Sequence, residues 1–195
     1  MANRVYSMAF TTAPLLFSET MRVAELWTQN PDWSQVKEAV LANNLLQMRT
    51  DNSAKRIFTE ISSRLKQLTS AQMALLLVDS RREQHYLLWL AFCKRYRFVY
   101  EFATEVVREK FLRLDMSLAY EEYDIFFNNK AEWHPEVARV APATRKKQRQ
   151  FLFRIMREAE LLTNQHEIVP AVLSPQLTAV LQADDPAHFS IFPVR

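Results

Sequence analysis

Between positions 145 and 157 stand Arg145, Lys146, Lys147, Arg149, Arg154 and Arg157, with no acid among them. Cations at this density do one kind of chemistry well: they hold phosphate oxygens through charge-assisted hydrogen bonds and release counterions as they do so. The chain carries 25 Lys+Arg and 22 Asp+Glu; without these six the balance is 19 against 22, so the formal +3 is concentrated here. On a helix, Phe151, Leu152, Ile155, Met156, Ala159 and Leu162 fall on one stripe. Lys146, Arg149, Arg154 and Arg157 fall broadly opposite, with Phe153 among them. A merely solvated outer face is the plain alternative. Against it stands the position of the charges along the helix. With Thr144 as cap, Lys147 takes the place where a capping box would want Glu. The macrodipole disfavours Lys and Arg in the first turns by ~0.3–1 kcal/mol each. A local rule broken several times within one turn marks a candidate functional site.

The neighbouring sequence gives this helix a context. Residues 117–130, residues 135–140, a turn at Ala141-Pro142 and residues 143–162 read as three helices with helix-turn-helix spacing. In such motifs the N-terminal part of the last helix enters the DNA major groove, where Arg and Lys contact phosphates and guanine edges. No β wing is evident after Leu162, although residues 167–172 could hold a short extended segment. Lys94, Arg95 and Arg97 form a possible second basic patch, for which solvated ends of two core helices are the plainer reading.

Other chemistries find little support. His85, His134, His166 and His188 are scattered, and none has a partner at metal-ligand spacing. His134-Pro135-Glu136 resembles half of a zinc deaminase signature without its cysteine pair. The acids of Tyr120-Glu121-Glu122-Tyr123-Asp124 point different ways on a helix and read as solvated. Asp32 with Glu38 lacks the Glu-x-Lys that a nuclease site would add. Cys93 lies inside an apolar run and reads as a buried hydrophobe of a reducing compartment. There is no glycine at all, which excludes the Gly-rich dinucleotide loop, the P-loop and the nucleophile elbow. No catalytic site, metal or cofactor is therefore expected.

The elements that must carry the basic helix follow from the same composition. The 103 residues between Pro31 and Pro135 contain neither Pro nor Gly, which points to an all-α chain with side-chain caps. Residues 86–107 form the central hydrophobic helix pair of a globular multi-helix bundle. The run 86–93 has no polar face, so it belongs inside a core; it is too short for the ~18–20 residues a membrane span needs. Further helices are expected over about 15–29, 31–47, 52–68, 70–78 and 174–182. Asn30 is read as a cap with Pro31 at the first helical position. Capping boxes are read at Thr69…Gln72 and Ser80…Glu83. Ile125 is grouped with Leu118, Phe126 and Phe127 as apolar positions of the helix over 117–130. Residues 1–13 read as an extended arm and residues 184–195 as a loosely ordered tail. An N-terminal helical subdomain (1–79) and a C-terminal one (80–195), sharing a core, are the expected organisation. With no visible signal peptide, a cytoplasmic monomer is expected.

One resemblance spans nearly the whole chain. It is carried by Tyr6-Ser7-Met8-Ala9-Phe10-Thr11 with Ser18-Glu19, by residues 56–68, and by Leu88-Trp89-Leu90-Ala91-Phe92-Cys93-Lys94-Arg95-Tyr96. It continues through Phe126-Phe127 and from Thr144-Arg145-Lys146-Lys147 to Arg157-Glu158-Ala159. In their order and spacing these resemble BrxA, a small core component of bacteriophage-exclusion (BREX) defence systems. The resemblance implies an all-helical cytoplasmic protein, NusB-like in shape, that binds double-stranded DNA without enzymatic activity beside other BREX proteins. RNA binding would follow from the NusB-like shape alone. The family commonly has glycine after Thr12 and before Leu161, where this chain has Ala13 and Glu160; helix ends are therefore expected to be capped differently here.

Overall fold

The computed structural model describes residues 6–194. Helix α5 (Arg81–Arg95) is the axis, and its composition requires that position. From Tyr86 to Cys93 no residue is more than 3% exposed. Helices α3 (Asp51–Leu65), α4 (Ser70–Val78), α6 (Arg97–Phe102) and α10 (Pro142–Glu158) pack around it. After α6 the helix widens into a π turn over Ala103–Val107 and continues as α7 (Arg108–Leu112). The expected central pair is thus present, and the second member is bulged. Helices α1 (Phe17–Gln29), α2 (Trp33–Ala42), α8 (Tyr120–Trp133), α9 (Pro135–Ala138) and α11 (Pro175–Asp184) complete the bundle. There is no strand among the described residues, only two isolated bridges, Ser117 with Glu167 and Leu162 with Ile168. Buried side chains from Tyr6 to Phe192 form one contiguous apolar cluster.

The caps show where local sequence rules hold and where tertiary contacts displace them. Thr69 and Gln72 close the expected capping box at α4. Ser80 caps α5 by accepting from the Glu83 N–H, but the Glu83 carboxylate does not return to it. That carboxylate accepts from the backbone N–H and hydroxyl of Ser174, which in turn caps α11. Asp32, rather than Asn30, caps α2 through Ser34 and Gln35. Its Oδ1 accepts from both orphan N–H groups, and its Oδ2 accepts from the Gln35 side-chain amide.

Two segments depart from expectation. The N-terminal arm packs into the core: Tyr6, Phe10 and Ala13 are buried, and Phe10 stacks on Phe98 at 6.0 Å. Buried Arg64 donates to the carbonyls of Ala13 and Pro14, fastening the arm to α3. The C-terminal tail is equally fixed. A 3-10 turn over Pro186–Ile191 leads to Phe192, which is fully buried against Tyr86. The Trp89 indole N–H donates to the Ile191 carbonyl at 3.1 Å, and Ala171 N–H donates to Pro193 at 3.0 Å. A six-residue 3-10 turn bracketed by prolines has no 3.6-residue periodicity, so its apolar side chains carry no helical signature.

The missing glycines leave a trace. Leu16, Asn44, Gln47, Leu114, Glu160 and His166 adopt left-handed backbone without glycine's freedom. Glu160 does so just past the end of α10, where a glycine commonly closes a helix. Its carboxylate bonds Arg82 and His85 at 3.1 and 3.0 Å, contacts a glycine could not make.

Candidate nucleic-acid interface

Helix α10 is presented by α8 and α9, in the order the sequence suggests. Tyr123, Phe126 and Phe127 seat α8 on the core, at i, i+3 and i+4. Ile125, another apolar position of the same helix, falls off that stripe and is 60% exposed. Pro135 opens α9, a single turn anchored by buried Val137. Helix α10 then begins at Pro142 with Ala141 as its cap residue and no side-chain cap. This corrects the expected helix over 143–162 and the reading of Thr144 as its cap. Proline's fixed φ suits the first helical position and moves the start upstream. Arg145, Lys146 and Lys147 consequently sit in the second turn, where the macrodipole opposes them less.

The inner face of α10 is apolar at Leu152, Ile155, Met156 and Ala159. Phe153, expected among the cations, is fully buried between Tyr120 and His166, with ring centroids at 4.7 and 5.0 Å. Two polar contacts fix the helix against the N-terminal arm. Buried Gln148 donates to the Met8 carbonyl at 2.7 Å, and Glu158 accepts from the Leu15 N–H at 2.9 Å.

The six expected cations divide into two groups. Arg145 and Arg149 turn onto α8 and share one carboxylate, that of Asp124. Arg145 Nε lies 3.0 Å from it, with further bonds to the Asp124 carbonyl and the Asn128 amide oxygen. Arg149 Nη1 holds the other carboxylate oxygen. Both guanidiniums also lie over rings, of Phe127 and Tyr120 respectively. The placement of Arg149 opposite the apolar stripe is therefore revised: it sits at the α8 edge. One acid cannot neutralise two guanidiniums, so this edge keeps a net positive charge.

Lys146, Lys147, Arg154 and Arg157 share the open face with exposed Gln150. Lys146 and Lys147 are exposed and make no ion pair or hydrogen bond among the described residues. Arg154 pairs with Glu158 at 2.7 Å while remaining 56% exposed. Arg157 lies half-buried beside Arg82 and Glu160 at a small cleft. Arg139, absent from the sequence-based set, is exposed at the end of α9, immediately before the helix. Its signal was legible: residues 137–157 contain no acid, so Arg139 belongs to the same acid-free stretch as the six.

The second basic patch lies at the α5–α6 junction. Lys94 pairs with Asp184 at 2.7 Å and Arg97 with Glu101 at 2.6 Å; Arg95 lies over Tyr96. Cys93 beside them is fully buried, and that burial pushes its thiol pKa up, away from the thiolate a nucleophile needs. Among the described residues no group of three or more His, Cys, Asp or Glu is placed to hold a metal ion. No helix there is long and apolar enough to cross a membrane.

Comparison with known proteins matches this architecture. A crystal structure of an uncharacterized protein from Magnetospirillum magneticum superposes with a TM-score of 0.83, covering 97% of this chain and all of that one. At 18% identity it shows a shared fold. Two relatives described as BREX protein BrxA are each 30% identical. The one from Bacillus cereus (strain H3081.97) aligns over 84% of this chain and 82% of its own length. The one from Escherichia coli O9:H4 (strain HS) aligns over 87% and 80%. With the family profile of BrxA also matching residues 4–185, the chain belongs to the BrxA family.

Proposed function

We propose that the protein is a non-enzymatic, double-stranded DNA-binding component of a bacteriophage-exclusion defence system, working in the cytoplasm beside other BREX proteins. The relatives carry the system's name; the DNA-binding reading is carried by the open face of α10. Lys146 and Lys147 stand there without carboxylate partners. Arg154 and Arg157 extend the line along the helix and Arg139 flanks its start. Arg145 and Arg149 shift from leading contacts to a reserve held by Asp124.

Electrostatics sets the expected behaviour. Four phosphate contacts, from Arg139, Lys146, Lys147 and Arg157, give a slope of log affinity on log salt near −3.6, about 10²-fold weaker binding between 50 and 200 mM salt. Gel-shift titration of duplex DNA, duplex RNA and single strands at those two salt concentrations tests this. Lys146→Glu with Lys147→Glu should lower duplex affinity and flatten the slope by about two contacts. Binding that is flat with salt, or unchanged in that variant, would remove the proposal.

A second reading rests on α8. Trp133 is 81% exposed and Ile125 60% exposed, and large apolar side chains of this kind serve as anchors in protein interfaces. An adaptor docking another defence protein through this face predicts that Trp133→Ala abolishes partner pull-down while duplex binding persists.

A further inference from the structure

The second basic patch frames an open cavity of about 610 Å³. Its lining comes from four separate segments. Ser63 and Lys66 stand at the end of α3, and Lys94, Arg95 and Arg97 at the α5–α6 junction. Ser7 comes from the arm and His188 from the C-terminal 3-10 turn. Cations in the last turn of a helix are ordinary, since the macrodipole favours them, and that accounts for Lys94 and Arg95 taken singly. It does not account for their convergence with Lys66 and Arg97 on one concavity.

The charges are not balanced by acids. Asp184 serves Lys94 and His188, at 2.7 and 3.3 Å, and Glu101 serves Arg97. Lys66 and Arg95 have no carboxylate within ion-pair distance among the described residues. Their contacts are with rings: the Lys66 ammonium lies 5.2 Å from Trp33 and the Arg95 guanidinium 5.2 Å from Tyr96. Four cations thus face two carboxylates; Ser7 and Ser63 line the same cavity, the Ser63 hydroxyl donating to the Glu60 carbonyl at 2.9 Å. The volume lies in the range of small-molecule sites, and this combination of fixed positive charge and the Ser7 hydroxyl suits phosphoryl oxygens. None of these lining residues belongs to α10, so the cavity is separate from the proposed DNA face.

We propose that this cavity is a binding site for a small phosphorylated ligand, of mononucleotide size, whose phosphoryl group is held by Lys66, Arg95 and the Ser7 hydroxyl. A free phosphorylated molecule and a phosphate of a nucleic-acid strand present the same chemistry, and the experiment separates them. Calorimetric titration of the full chain with AMP, inorganic phosphate and adenosine should show saturable binding of the first two and none of the third. Lys66→Glu with Arg95→Glu should abolish it, and the milder Lys66→Ala, at an exposed position, should weaken AMP binding roughly tenfold, the loss of one charge-assisted contact. Lys146→Glu with Lys147→Glu should leave AMP binding intact while lowering duplex affinity, so that failure of the DNA reading and failure of this one are read separately. Absence of AMP binding, or AMP binding indifferent to Lys66 and Arg95, would overturn the proposal. So would silence toward AMP combined with lost duplex binding in the Lys66 variant, which would assign the cavity to the nucleic acid.

Discussion

Replacing Asp124 by Asn tests the division of cations on α10 with little change in shape. Asp124 is the shared acceptor of Arg145 and Arg149, with side chains 31%, 25% and 22% exposed. The Asn carbonyl oxygen can still receive Arg145, so the helix contact survives in part, while the charge that ties both guanidiniums is removed. Partly exposed pairs of this type contribute only modestly, and the expected loss of stability is about 1–2 kcal/mol. The effect on DNA runs the other way. Two guanidiniums join the four available cations, so the salt slope steepens from about −3.6 to about −5.4. Between 50 and 200 mM salt the fall in affinity grows from about 10²-fold to about 10³-fold, with tighter binding at the lower salt. Fluorescence anisotropy of a labelled duplex across that range measures both quantities. An unchanged or shallower slope in Asp124→Asn, in a protein whose circular dichroism is intact, would show that Arg145 and Arg149 are purely structural and make no contact with the duplex.

Phe192→Ala should cost about 3–5 kcal/mol, because the ring is fully buried on α5; urea unfolding should show its midpoint falling by more than 1 M, and a shift under 0.3 M would mean that the tail is dispensable. Leu114→Gly should stabilise the protein by about 0.5–1 kcal/mol, since Leu114 is left-handed (φ 62°) and 67% exposed; a calorimetric melting temperature raised by about 1–4 °C checks it. Stability should fall with acid in two stages. Burial first, then Lys94, holds the His188 pKa below its ordinary 6.5 despite Asp184, so the unfolded chain takes up a proton that the folded one refuses, and this contribution is complete above pH 6.5 and lost below it. In Glu101 burial pushes the carboxyl up, but bonds from Lys130, Tyr6 and Arg97 outweigh it and hold its pKa below the usual value, so its contribution is lost as pH falls through the carboxylate range. His188→Gln should remove the upper stage from a urea-midpoint profile and leave the lower one.

The all-helical class, the central helix and the basic stretch were legible in residue order alone. Absent glycine, an unbroken apolar run and an acid-free window are properties of composition and spacing, and they constrain the backbone before any contact forms. The partner that each cation found was not legible. Spacing does set Arg149 three residues before Leu152 and seven before Met156, next to the buried stripe rather than opposite it; that Asp124 and Tyr120 of α8 would meet Arg149 and Phe153 there is what a helical wheel does not contain. The same holds for Glu83, whose capping partner lies 91 positions away, and for Phe192, buried by a Trp89–Ile191 contact across 102 positions. Periodicity reports the phase of a helix against an average core. Which carboxylate meets which guanidinium, and which unpatterned tail fills the last gap, is decided only when distant segments compete for the same space.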